Sequence, residues 1–142
     1  MDLPFSTEDL ARLYRFALLL TGDEGASQQV LYDACVDCAP RLGSYRNEES
    51  RLACILENVR QKARAIPAGE AQGIARAFAA LPEEERAALA GLYTGLLSAR
   101  ELAEVMKMSL EQLGRVLKSA RERMSLPASP GQASEANLEQ TA

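Results

Sequence analysis

The sequence contains no histidine and no tryptophan. Without histidine the commonest general base is missing, and with it most Ser and Cys triads and the usual zinc sites. Aromatic residues make up only 5% of the chain, and Val, Ile and Thr are sparse, which disfavours a sheet-rich fold. No window approaches the ~18 apolar residues that a membrane span requires. The opening Met1-Asp2-Leu3-Pro4 has no basic region and no apolar run behind it, so no export signal is read and the expected location is cytoplasmic. The three cysteines, Cys35, Cys38 and Cys54, then read as reduced thiols. No glycine-rich phosphate loop, nucleophile elbow or metal constellation occurs. The expectation is a non-enzyme with no cofactor, no metal ligand and no membrane partner.

What is present favours helix. The 142 residues are 47% hydrophobic and 25% charged, and lean on Ala, Leu, Glu and Arg. The formal charge of −4 runs against a free-standing nucleic-acid protein, which is usually basic. The charge is unevenly spread: residues 1–65 hold ten acids and eight bases, whereas residues 74–124 hold eight bases and seven acids. Only the second half has a positive balance, and a slight one.

Periodicity predicts an all-α fold in two small modules. Ser6 or Thr7 starts a first helix whose apolar stripe is Leu10, Leu13, Tyr14, Ala17 and Leu18, widened by Leu19 and Leu20 and ended at Thr21-Gly22-Asp23. A second helix runs from about Glu24 to Ala39 and is stopped by Pro40. A third runs from near Asn47 to about Ala65, with Leu52, Ile55, Leu56 and Val59 inward. Residues 67–73, with Pro67-Ala68-Gly69, read as a short linker between a module at 1–66 and a second at 74–124. That second module opens with a short helix carrying Ile74, Ala77, Phe78 and Leu81. Pro82 with Glu83, Glu84 and Glu85 then starts another helix, whose face is Leu89, Leu92 and Tyr93 and which Gly95 ends. Residues 125–142 read as a disordered tail.

Two matching start signals follow. Ser98 with Glu101, and Ser109 with Gln112, are capping-box patterns. They predict helices over about Ala99 to Met106 and Leu110 to Met124, joined tightly enough to form a helix-turn-helix. The last helix would turn Leu113, Leu117, Ala120 and Met124 inward. Glu111, Arg115, Lys118 and Glu122 would face out, where the bases could meet phosphates and base edges in the major groove. Glu111 with Arg115 and Lys118 with Glu122 are each four apart, so either pair can satisfy itself along the helix, while Arg121 and Arg123 are freer. A plainly solvated face is the alternative for this surface. Cys35-Val-Asp-Cys38 is a CxxC, but only Cys54 remains as a third ligand, so core packing is favoured over zinc, and a redox role lacks the usual βαβ context.

Two stretches resemble one family. Leu10-Ala-Arg-Leu-Tyr-Arg-Phe-Ala-Leu-Leu-Leu-Thr-Gly-Asp23 resembles the opening helix of region two in bacterial extracytoplasmic-function (ECF) sigma factors. Ala77-Phe-Ala-Ala-Leu-Pro-Glu-Glu-Glu-Arg86, then Gly95 to Ser109, resemble the start, first helix and turn of region four, and Arg115 to Met124 its recognition helix. The resemblance implies RNA polymerase core and promoter DNA as partners. By position it offers Gln29, Tyr32 and Asp33 to the core. It offers Asn58, Arg60, Lys62 and Arg64 to the melted downstream element, and Gln112, Arg115, Lys118 and Arg121, with Arg123 beside them, to the upstream element.

The chain departs from the family pattern at several of these places. Gln28-Gln29 stands where an acidic pair is usual, Arg51 where a Trp is usual, Glu57 where a basic residue precedes the Asn, and Gly114-Arg115-Val116 where a Lys-Ser-Arg run is usual. Three readings therefore stand: a divergent ECF sigma factor directing transcription initiation; a degenerate sigma-like protein that has lost DNA and core contacts and regulates transcription by binding an anti-sigma factor or another protein; and a plain helix-turn-helix regulator acting without polymerase.

Overall fold

A computed structural model describes residues 6–66 and 74–124; the expected linker at 67–73 and tail at 125–142 lie outside them. The described residues form seven helices and no strand. They are α1 (Thr7–Thr21), α2 (Glu24–Leu42), α3 (Glu48–Arg64), α4 (Ile74–Ala79), α5 (Glu83–Tyr93), α6 (Ala99–Val105) and α7 (Leu110–Met124). The fold is all-α, and no helix is long and apolar enough to cross a membrane.

Local chemistry accounts for most boundaries. The Ser6 hydroxyl accepts from Asp9 N–H, Asp23 caps α2 through Ala26 N–H, and Asn47 caps α3 through Ser50 N–H. Gly22 closes α1 at φ 72, where its N–H bonds Leu18 O at 2.8 Å, and Gly95 ends the turn after α5 at the same φ. A polar knot holds the α1–α2 corner: Thr21 and Ser27, both buried, share a hydroxyl hydrogen bond of 2.7 Å, and Ser27 also donates to Asp23 O at 2.6 Å.

Three expectations are corrected. The helix α2 continues through Pro40 to Leu42. Pro40 sits in the last turn, where the ladder is ending, and Val36, whose carbonyl loses its i+4 donor, is 41% exposed, so water can serve that carbonyl. The buried face of α1 is Leu13, Phe16, Ala17, Leu19 and Leu20, while Leu10, Tyr14 and Leu18 are only half-buried. On α5 the buried run is continuous from Ala87 to Gly91, and Tyr93 is outside, its ring edge against Phe78 with centroids 6.0 Å apart.

That continuous burial reflects the position of α5, which packs against α1, α4, α6 and α7. Small residues permit the approach: a Cβ on Gly91 would lie 2.8 Å from Leu102 Cδ1. The helices α1, α2 and α3 pack on one another; α1 also packs on α4 and α5, and α3 on α6. Both halves thus contribute to one hydrophobic core, from Leu13 to Ala120. Arg86 of α5 reinforces the junction. Its guanidinium donates to Phe78 O, Ala79 O and Leu81 O, which end α4, and to Leu20 O of α1 at 3.3 Å. One side chain thus serves four carbonyls near helix ends, of which Phe78 O also accepts from Leu81 N–H at 3.0 Å.

Candidate nucleic-acid interface

The helices α6 and α7 follow one another across a tight turn and pack together. Ser98 and Glu101 complete a reciprocal capping box at the start of α6. Ser109 and Gln112 do the same for α7, with Ser109 N–H to Gln112 Oε1 at 2.9 Å and Gln112 N–H to Ser109 Oγ at 3.0 Å. Between them Lys107 takes φ 57, and Met108 N–H reaches back to Ala103 O at 3.0 Å. A left-handed lysine here costs about 1–2 kcal/mol of backbone energy that glycine would avoid. The α6 helix closes at Val105, one residue before the expected Met106, because this left-handed turn follows at once.

The inward face of α7 is as read from the sequence: Leu113, Leu117 and Ala120 are buried and Met124 is half-buried. Gln112, Arg115 and Lys118 point to solvent and Arg121 is half-exposed. Their availability differs. The Oε1 of Gln112 is committed to the cap, leaving its amide nitrogen. Arg115 lies 3.4 Å from Glu111, with both side chains largely exposed, so that pair is weak and readily broken. The expected pairing of Lys118 with Glu122 does not form; among the described residues neither Lys118 nor Arg121 has an ion-pair partner. Arg123, expected to be among the freer cations, is held across the fold by Glu85 of α5, its Nε 3.0 and 3.2 Å from the two carboxylate oxygens.

The second group, on α3, is engaged within the protein. Asn58 Nδ2 donates to Cys54 O at 3.1 Å, one turn back on its own helix. Lys62 pairs with Asp37 of α2, and the hydrogen bond between them raises the ammonium pKa against the opposing effect of burial. Arg60 grips Glu83 of α5 with both prongs, at 2.7 and 3.0 Å, and Arg64 adds a second guanidinium at 2.9 Å. Burial pushes the Glu83 carboxyl up, but hydrogen bonds from Arg60 and Arg64 and their charges outweigh it and hold the group at about 2. These bonds tie the end of α3 to the start of α5.

The third group, on α2, is exposed in part. Gln29 donates to Asp33 Oδ1 at 2.9 Å, and Tyr32 stands 63% exposed with Val36 one turn on. Arg51, which departs from the family pattern, serves the fold: its Nε and Nη2 donate to Leu42 O and Tyr45 O, covering the end of α2. All three cysteines are buried and free, and among the described residues no group of His, Cys, Asp or Glu could hold a metal ion.

Sequence reasoning missed the partners of Glu83, Glu85 and Arg86. The helix dipole accounts for the three glutamates of α5 from local sequence alone. The partners of Glu83 and Glu85 lie 19 to 38 residues away, where no local pattern can show them. No protein-family model, curated protein or solved structure matches the chain.

Proposed function

We propose that the chain is a divergent sigma factor of the ECF type, a non-enzymatic cytoplasmic protein that binds core RNA polymerase through the outer face of α2 and promoter DNA through α7. The observation carrying this reading is the pair of helices α6 and α7 joined by a tight turn, with Arg115, Lys118 and Arg121 on the outward side of the second helix and, among the described residues, no carboxylate clamped on the latter two. An unclamped cation can exchange its counterion for a phosphate, which is how such a face gains affinity.

The deciding experiment is a pull-down of core polymerase followed by promoter-dependent transcription. Core binding with specific initiation is the expected result; failure to bind core, with tight binding of an anti-sigma protein, rejects the reading. Salt dependence gives a cheaper check. Each phosphate contact contributes about −0.9 to the slope of log affinity against log salt, so two or three α7 cations give a slope of about −2 to −3. Replacing Lys118→Ala should weaken binding on all sequences alike and flatten that slope by about 1. An unchanged slope would remove Lys118 from the interface.

A second reading is favoured by a specific observation. Arg60, Lys62 and Arg64 already spend their charge on Glu83 and Asp37. A sigma-like protein that regulates transcription by binding an anti-sigma factor or another protein needs none of them for DNA, and would show little affinity for single-stranded DNA at any salt.

A further inference from the structure

Two buried thiols from different helices meet in the α2–α3 hairpin. Cys38 Sγ lies 3.2 Å from Cys54 Sγ, and neither sulfur is bonded to another. The guanidinium of Arg41 lies 3.9 Å from Cys38 Sγ, one turn along α2. Cys35, which shares the CxxC with Cys38, is on the same helix as Cys38. Cβ atoms three residues apart on a helix are about 5–6 Å apart, beyond the ~3.5–4.5 Å a disulfide spans, so the CxxC cannot close without distorting α2. The motif that sequence singled out is therefore the wrong pair. The close pair joins residues 16 apart.

We propose that Cys38 and Cys54 form an oxidation site, at which a hydroperoxide converts two core thiols into an intramolecular disulfide joining α2 to α3. Cys54 is the first target, being 8% exposed where Cys38 is fully buried. Its sulfur attacks the peroxide O–O bond, forming a sulfenic acid and releasing the alcohol or water of the leaving oxygen. Cys38 then attacks the sulfenyl sulfur; the S–O bond breaks, the Cys38 proton leaves with the hydroxyl as water, and the S–S bond forms. Two thiols lose two electrons in all and the peroxide takes them. Burial first, then the neighbouring Cys54, push the Cys38 thiol up to about 12 against the pull of Arg41, so Cys38 is protonated at neutral pH and must give up that proton as it attacks, which makes the second step the slow one. The sulfurs must close by roughly 1.2 Å to reach the ~2.05 Å bond, a small movement for two side chains already touching.

The test is a peptide map of the full chain treated with hydrogen peroxide under native conditions and alkylated before digestion. Arg41, Arg46 and Arg51 separate the tryptic peptide carrying Cys35 and Cys38 from the one carrying Cys54. A cross-linked pair of these peptides with one alkylated thiol is expected. The link should survive Cys35→Ser and vanish in Cys54→Ser. The oxidised chain should melt several degrees higher, because a closed loop limits the unfolded ensemble. A link confined to the Cys35–Cys38 peptide, a disulfide between two chains, or three alkylated thiols at a peroxide dose that cross-links the urea-unfolded chain would each overturn the proposal. If either variant fails to fold, fragmentation of the cross-linked wild-type peptides locates the alkylated thiol: Cys35 supports the proposal and Cys38 overturns it.

Discussion

The carboxylate of Glu83 receives four hydrogen bonds from two arginines of another helix. Its titration is therefore tied to folding. In the unfolded chain the group titrates near its ordinary 4.5, and in the fold near 2. A carboxyl with a lowered folded-state pKa stabilises fully above the unfolded value, and that stability drains away as pH falls from about 4.5 towards 2. The side chain is 36% exposed, so solvent screens the pairs, and Glu83→Gln should lose about 1 kcal/mol at neutral pH. The expected signature is convergence: urea midpoints of wild type and Glu83→Gln differ at pH 7 and approach each other below pH 3. A constant gap would show that the charge is not the source. None of this was legible from Glu83 in sequence, because a first-turn glutamate looks the same whether it serves a helix dipole or two distant guanidinium groups.

At the scale of the element the sequence was far more informative. The bounds of α7, both capping boxes and the glycine stops rest on residues within one turn of each other, so the information is local and complete. The inward face of α7 followed from spacing alone, whereas α1 turned Phe16 into the core where the stripe through Tyr14 and Leu18 was expected. An apolar run such as Ala17 to Leu20 has no polar side to fix its rotation, so the neighbouring helices decide it. One residue of α7 goes against its element. Gly114 sits mid-helix on the exposed face, and a Cβ there would meet nothing within 4 Å. Gly114→Ala should therefore stabilise the protein by about 1 kcal/mol through helix propensity, seen as a rise in Tm of several degrees. A fall in Tm would mean that the backbone at that position is not ordinary helix. Under the proposed function the same substitution also places a methyl group on the face that approaches DNA, so affinity and stability are expected to respond separately.

At the scale of the whole molecule the described helices share one core, although the sequence divides naturally at residues 67–73. Pro67-Ala68-Gly69 breaks the periodicity of the sequence; the shared core was not legible there, since contacts of α1 with α4 and α5 join segments more than fifty residues apart. One core predicts one transition. Unfolding followed at Tyr32 on α2 and at Tyr93 on α5 should give coincident curves, and calorimetric and van't Hoff enthalpies should agree. Two separated transitions would show that the halves fold on their own despite their contact.

The guanidinium of Arg86 bears on how quickly such a molecule comes together and apart. Its bond to Leu20 O closes 66 residues of chain. Ordering that length for a single hydrogen bond is unfavourable until the flanking helices are in place, so the contact belongs after the folding barrier rather than before it. Arg86→Ala should then raise the unfolding rate several-fold and leave the refolding rate nearly unchanged, steepening neither arm of the chevron. A variant that instead refolds slowly would place the Arg86 contacts, the local ones to the end of α4 or the long-range one to α1, in the folding nucleus. In the first case Arg86 acts as a late fastener, and the lifetime of the native state, more than the speed of reaching it, depends on one side chain.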